Sequence, residues 1–133
     1  MTDQTKLHLA VFDASGKIGR HVVDQLLTGG HTVTAYARNP AKLTASHPDL
    51  PVIEGELDDP AGVTRASEGA DAVISALGPS LRRGLTGTPV AEGTRTIVKP
   101  MEASGVRRFI GLATPSVADD RDRPTLGAKK CCP

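Results

Sequence analysis

The sequence has few aromatic residues: 2% of its 133 residues, with one tyrosine, two phenylalanines and no tryptophan. It therefore lacks the aromatic platforms on which single-stranded nucleic acids stack their bases. It also lacks an excess of charge, because 16 Lys and Arg residues against 15 Asp and Glu residues give a net charge of +1. A balanced charge argues against a polyanionic partner, so we expect no nucleic-acid binding.

Cysteine is equally scarce. The two cysteines, Cys131 and Cys132, are adjacent and precede the last residue. They therefore cannot cross-link distant parts of the fold with a disulfide or complete a four-ligand zinc site. The four histidines, at positions 8, 21, 31 and 47, show neither metal-ligand nor acid-base spacing, and we interpret them as structural. These observations predict no metal site.

Long hydrophobic runs are missing too. No apolar stretch approaches the roughly 18 residues of a membrane span, and the polar residues Met1–Lys6 lead directly into the first predicted strand. We therefore expect a cytoplasmic protein with no membrane partner. A chain of 133 residues forms one domain, and its sequence leaves open whether it is a monomer or a homodimer.

The stretch Leu7–Arg20 contains the most informative pattern of the sequence, a strand followed by a glycine turn and a helix. Apolar residues at period two predict a strand up to Phe12, buried on both faces, and Gly16 and Gly19 follow in a turn that opens an amphipathic helix. Ser15 is the predicted N-cap of this helix. Glycine lets the backbone approach a diphosphate closely, and the N–H groups of a helix N-terminus favour negative charge. This pattern predicts a phosphate-binding βα unit.

Strands and helices alternate along the rest of the chain. Further strands are predicted over residues 31–38, 52–54, 72–77 and 109–113, and helices over 41–46, 60–68 and 89–104. Pro100 predicts a kink or an early end of the last helix near Lys99. The alternation indicates an α/β fold, a doubly wound Rossmann-type parallel sheet of five strands in the order 3-2-1-4-5.

The run Val11–Arg20, the helix after it and the later Tyr36–Pro40 resemble the atypical short-chain dehydrogenases/reductases, specifically the NmrA-like and flavin/biliverdin-reductase-B-like group that binds NAD(P)H. The likeness extends over roughly residues 6–123. It implies a Rossmann domain over residues 1–118, and we expect the polar residues 119–133 to form a mobile tail that is dispensable for folding. The members of that group continue further, so the chain resembles their cofactor-binding half.

An arginine follows the loop by about twenty residues, where NAD enzymes place an acid. Arg38 can bind a 2′-phosphate through its guanidinium group. This residue therefore favours NADP(H) as the cofactor, with NAD(H) as the alternative. The group also implies roles for residues beside the adenine and the nicotinamide ribose. The predicted cofactor-binding residues are Asp13, Ser15, Gly16, Lys17, Ile18, Gly19, Arg38, Leu57, Asp58, Ala76, Leu77 and Gly78.

The usual proton donor of short-chain dehydrogenases, a Tyr-x-x-x-Lys pair, is missing, because Tyr36 lies in the second predicted strand. Thr114 and Ser116 are the predicted catalytic residues, which would polarise an acceptor. The leading function is an NADPH-dependent reductase that transfers a hydride to a small flavin-like or quinone-like acceptor. A non-catalytic NAD(P) sensor or interaction domain, and a truncated chain with weakened cofactor binding, remain as alternatives.

The group's loop reads G-x-x-G-x-x-G, and Asp13 stands at its first glycine. A carboxylate there would repel the diphosphate, or would accept hydrogen bonds from Gly16 and its neighbours as a built-in phosphate mimic. We expect weak NADPH binding that Asp13→Gly would strengthen.

Overall fold

The computed structural model describes residues 5–78 and 89–112. Five strands form one sheet: β1 (His8–Phe12), β2 (Thr32–Ala37), β3 (Val52–Glu54), β4 (Ala72–Ser75) and β5 (Phe109–Gly111). Their order is β3-β2-β1-β4-β5, and every pairing is parallel. The predicted Rossmann-type fold is therefore confirmed.

Three α-helices cover the sheet: α1 (Lys17–Thr28), α2 (Pro60–Ser67) and α3 (Pro89–Ala103). Successive residues of β1 enter different apolar clusters because side chains alternate across a strand. On the α1 side the buried cluster comprises Val11, Ala14, Val23, Val33, Ala35 and Leu50. On the α2 and α3 side it comprises Ala10, Phe12, Tyr36, Val63, Ala66, Val73, Ile97, Met101 and Val106.

Two local predictions are wrong. Gly16, not Ser15, is the N-cap of α1. The helix predicted over residues 41–46 is only a 3₁₀ turn, Pro40–Lys42, and the chain returns to an extended backbone at Leu43. The side chain of Asn39 accepts a hydrogen bond from the Ala41 N–H at 3.2 Å, which favours a tight turn over a longer helix.

Of the two outcomes predicted at Pro100, a kink or an early end near Lys99, the early end does not occur, since α3 passes through Pro100 to Ala103. Ile97 and Met101 are buried on either side of this proline, and their packing holds the helix on the sheet despite the lost backbone bond. The helix ends where the N–H and the hydroxyl of Ser104 both donate to the Pro100 carbonyl.

Side-chain hydrogen bonds tie together the amino-terminal edge of the sheet. His8 Nδ1 lies 3.0 Å from the carbonyl oxygen of Gly69, which can only accept, so this nitrogen donates and Nε2 accepts from the Thr34 hydroxyl at 2.7 Å. The main-chain N–H of His8 donates to the Asp71 carboxylate at 2.8 Å. These bonds agree with the structural interpretation of His8.

Candidate dinucleotide-binding site

The carboxyl ends of the strands lie level with one another. Phe12 pairs with Tyr36 on one side and with Ser75 on the other, so the loops that follow β1, β2 and β4 begin side by side. Together with the loop after β3 they enclose a cavity of about 400 Å³. It is lined by Asp13, Tyr36, Ala37, Arg38, Gly55, Glu56, Leu57, Asp58, Leu77 and Gly78.

The cavity brings together six of the predicted cofactor-binding residues: Asp13, Arg38, Leu57, Asp58, Leu77 and Gly78. Ser15, Gly16, Lys17, Ile18 and Gly19 form the adjoining turn and the start of α1. Ala76 lies elsewhere, in an apolar groove of about 300 Å³ that it shares with Ile18, Ile110 and Leu112. Thr114 and Ser116, and the tail over residues 119–133, lie outside the described residues.

The turn after β1 requires an unusual backbone at Asp13. Its φ of +57° is the one positive φ at a non-glycine position in the described parts of the chain. Aspartate tolerates this left-handed conformation better than most residues, although glycine adopts it most easily. The backbone thus retains the geometry of a glycine at the position where the resembling group has one.

Gly19 lets α1 pack closely against the end of β1. A Cβ at Gly19 would overlap the carbonyl oxygen of Asp13 and lie 2.9 Å from the Cα of Ala14. Both obstacles are backbone atoms, which cannot move aside without shifting the strand. Gly19 therefore has a structural role in the turn.

The N-terminus of α1 has no side-chain cap hydrogen bond and no acidic residue in its first turn. Its dipole and first N–H groups therefore favour an anion. The Asp13 carboxyl competes for the same space, because a Cβ at Gly16 would lie 2.7 Å from its Oδ2. The Gly16 N–H itself donates to the main-chain carbonyl of Asp13 at 3.0 Å. The Asp13 carboxylate therefore does not accept the hydrogen bond from Gly16 that the phosphate-mimic hypothesis predicted.

Among the described residues that line the cavity, acidic groups outnumber basic groups. Asp13, Glu56 and Asp58 line it together with Arg38, the one cation of this described lining, which is exposed directly after β2. Burial raises the pKa of the Asp13 carboxyl above its ordinary value, and the charge of Arg38 opposes part of this rise. Ionised Asp13 is therefore poorly stabilised in the fold.

Sequence reasoning missed four residues of the cavity: Tyr36, Ala37, Gly55 and Glu56. Tyr36 precedes Arg38 by two positions, and side chains at this spacing lie on the same face of a strand. Gly55 and Glu56 come directly before the predicted pair Leu57 and Asp58. Their spacing to the predicted site residues is the signal that could have identified these positions.

A parallel sheet in this order, with a glycine turn and an open cavity at its carboxyl edge, defines a dinucleotide-binding domain of the Rossmann type. A protein family described as NAD(P)H-binding matches residues 14–130. The chain belongs to this family, whose description agrees with the NAD(P)H-binding group that its sequence resembles.

Individual relatives have different names. The chain is 34% identical over 113 residues to the isoflavone reductase homolog IRL of Zea mays, and 25% identical over 127 residues to the photosystem II assembly factor Ycf39 of a Synechocystis strain. A short-chain dehydrogenase/reductase of Veillonella parvula, solved in complex with NADP, superposes with a TM-score of 0.70 at 23% identity. This last likeness shows the fold alone.

The chain matches only part of each of these proteins. The alignments include 78% and 94% of this chain but 34% and 39% of the two relatives. The structural match includes 83% of this chain and 48% of the Veillonella protein. Among residues 5–78 and 89–112, no helix is long and apolar enough to cross a membrane, and no three His, Cys, Asp or Glu side chains cluster as metal ligands.

Proposed function

We propose that the chain binds NADP(H) in the cavity at the carboxyl edge of the sheet and serves a reductase that transfers a hydride to a small flavin-like or quinone-like acceptor. The observation that carries this proposal is the convergence of the turn before α1, the end of β2 and the loops after β3 and β4 on one cavity. Ligands of open α/β sheets bind at this edge.

The residues of the cavity fit a dinucleotide in most respects. The turn at Gly16 and the uncapped N-terminus of α1 would hold the diphosphate. Arg38 would bind the 2′-phosphate. Leu57 and Asp58 would lie beside the adenine, and the segment 76–78 beside the nicotinamide ribose. The Asp13 carboxyl is the feature that opposes this fit.

A bound nicotinamide supplies the hydride, and the chain would bind and orient the cofactor. Tyr36 is not available as a proton donor in this arrangement, because its hydroxyl is buried and donates to the Glu56 carbonyl at 2.7 Å. We assign the polarisation of the acceptor to Thr114 and Ser116, the catalytic residues that the sequence predicts.

The second candidate is a non-catalytic NAD(P) sensor or interaction domain. The engaged hydroxyl of Tyr36 favours it, because no tyrosine is left to donate a proton. The name of one relative, an assembly factor, also supports a role without turnover.

Titration with NADPH, followed by nicotinamide fluorescence, tests the binding step. Consumption of NADPH, followed by absorbance with and without a flavin or a quinone, then separates the two candidates. We expect binding and acceptor-dependent oxidation. Binding without oxidation would favour the sensor, and the absence of NADPH and NADH binding in both this chain and its Asp13→Gly variant would contradict both candidates.

A further inference from the structure

Asp13 is held in place by its backbone. Its left-handed φ of +57° is fixed by the 3.0 Å hydrogen bond from the Gly16 N–H to its carbonyl and by the close packing of Gly19 against the same carbonyl. Its side chain points over the turn, near the position that a Cβ of Gly16 would occupy. The carboxyl therefore lies where this turn would meet the phosphates of a dinucleotide.

Among the described residues, the charged groups around Asp13 come from three elements. Lys17 begins α1 and is exposed, Arg38 ends β2, and Glu56 and Asp58 follow β3. The loop after β4 contributes the uncharged Leu77 and Gly78. Of the described residues that line the cavity, Arg38 alone is cationic, and the proposed function already assigns it to the 2′-phosphate.

From this geometry we propose that Asp13 determines the affinity of the site, and that a dinucleotide binds with uptake of one proton by the Asp13 carboxyl. The inference rests on the proposed function and concerns the regulation of the same site. Negative charge brought close to a carboxylate favours its protonated form. The proton comes from solvent, and the neutral carboxyl can then donate a hydrogen bond to a phosphate oxygen.

The sign of the pH dependence follows from this coupling. Burial already raises the pKa of the Asp13 carboxyl in the free protein, and a bound diphosphate raises it further. Affinity therefore increases as the pH falls through the window between the two pKa values, and it is lowest above both. The site should therefore bind most weakly at the highest pH, where the carboxyl is ionised in both states.

Calorimetric titration with NAD⁺ between pH 5 and pH 8 tests the inference, because the diphosphate of NAD⁺ does not titrate in this range. The variant Asp13→Asn removes the charge, and asparagine also tolerates the left-handed backbone. The matched control Asp24→Asn removes the same charge from an exposed position on α1. Repeating the titrations in two buffers of different ionisation enthalpy counts the protons taken up.

At pH 8 we expect Asp13→Asn to bind NAD⁺ at least tenfold more tightly than the wild type, within the roughly hundredfold that one close charge pair can contribute. This ratio should shrink toward pH 5. In the pH window where the affinity of the wild type rises, the wild type and Asp24→Asn should take up a proton on binding, and Asp13→Asn should not. Thermal unfolding verifies that all variants are folded.

Equal affinities of wild type and Asp13→Asn at pH 8 would overturn the role of Asp13, and a constant ratio across the pH range would overturn the proton coupling; neither result contradicts nucleotide binding. A different result tests the proposed function: if folded Asp13→Asn and Asp13→Gly bind neither NAD⁺ nor NADP⁺ at any pH, the proposed function fails and this inference fails with it.

Discussion

The hydroxyl of Tyr36 donates a 2.7 Å hydrogen bond to the main-chain carbonyl of Glu56. This bond joins β2 to the loop after β3, which carries Leu57 and Asp58 into the cavity. The Tyr36 ring is buried and lies 5.2 Å from the ring of Phe12. A core side chain thereby positions one wall of the candidate site.

Replacing Tyr36 by Phe keeps the ring and removes the hydroxyl. The Glu56 carbonyl then keeps only the longer hydrogen bond from the Asp59 N–H, at 3.2 Å, so we expect the free energy of unfolding to fall by about 1 kcal/mol. Urea denaturation measures the change. A midpoint equal to that of the wild type would show that water replaces the lost bond without cost.

The two glycines Gly19 and Gly78 should respond differently to alanine. A Cβ at Gly19 meets backbone atoms, whereas a Cβ at Gly78 meets no atom of the described residues within 4 Å. We expect Gly19→Ala to destabilise the protein by roughly 2 kcal/mol or more, and Gly78→Ala to change stability by less than about 0.5 kcal/mol. Thermal unfolding of both variants compares them, and similar melting temperatures would contradict the close packing of α1.

Arg38 should determine which nucleotide is preferred. Arg38→Asp replaces a charge-assisted contact to the 2′-phosphate with repulsion, so we expect affinity for NADPH to fall roughly tenfold or more, with a smaller change for NADH. Arg107→Asp, at an exposed position at the other edge of the sheet, provides the same charge change as a control. If the wild type binds NADH as tightly as NADPH, Arg38 does not select the cofactor.

Removal of residues 119–133 tests the predicted tail. The segment contains little apolar surface to bury, so we expect the truncated chain to melt within a few degrees of the full chain. Differential scanning calorimetry makes the comparison. A large loss of stability would mean that these residues pack against the domain.

The fold could be predicted because its signals are local and agree with one another. The period-two pattern of β1, the glycines at 16 and 19 and the regular alternation of strands and helices left few possible topologies. One error arose from a local hydrogen bond, because the side chain of Asn39 accepts from the Ala41 N–H and favours a turn over a helix. At Pro100 a kink or an early end of α3 was predicted, and the buried Ile97 and Met101 keep the helix against the sheet beyond this residue.

The site was predictable in part for a different reason. Arg38 was predicted from its distance to the loop and Asp58 from the family resemblance, but the contribution of Tyr36 required the strand pairing that places its hydroxyl near Glu56. The consequence of Asp13 was harder to foresee. Its sequence position suggested that its carboxylate accepts hydrogen bonds as a phosphate mimic. In the structure the carboxyl lies above the turn, and the main-chain carbonyl of Asp13 accepts the hydrogen bond from the Gly16 N–H.

The hydrogen bonds of His8 lie at the edge of the sheet opposite the cavity. Residues that hold the strands in register are thus separate in space from most residues that meet a ligand. Selection for a new ligand can act on Asp13, Arg38 or Asp58 while His8 and Thr34 keep the strands aligned. Lineages that share this domain can therefore diverge in chemistry at one edge while inheriting the other almost unchanged.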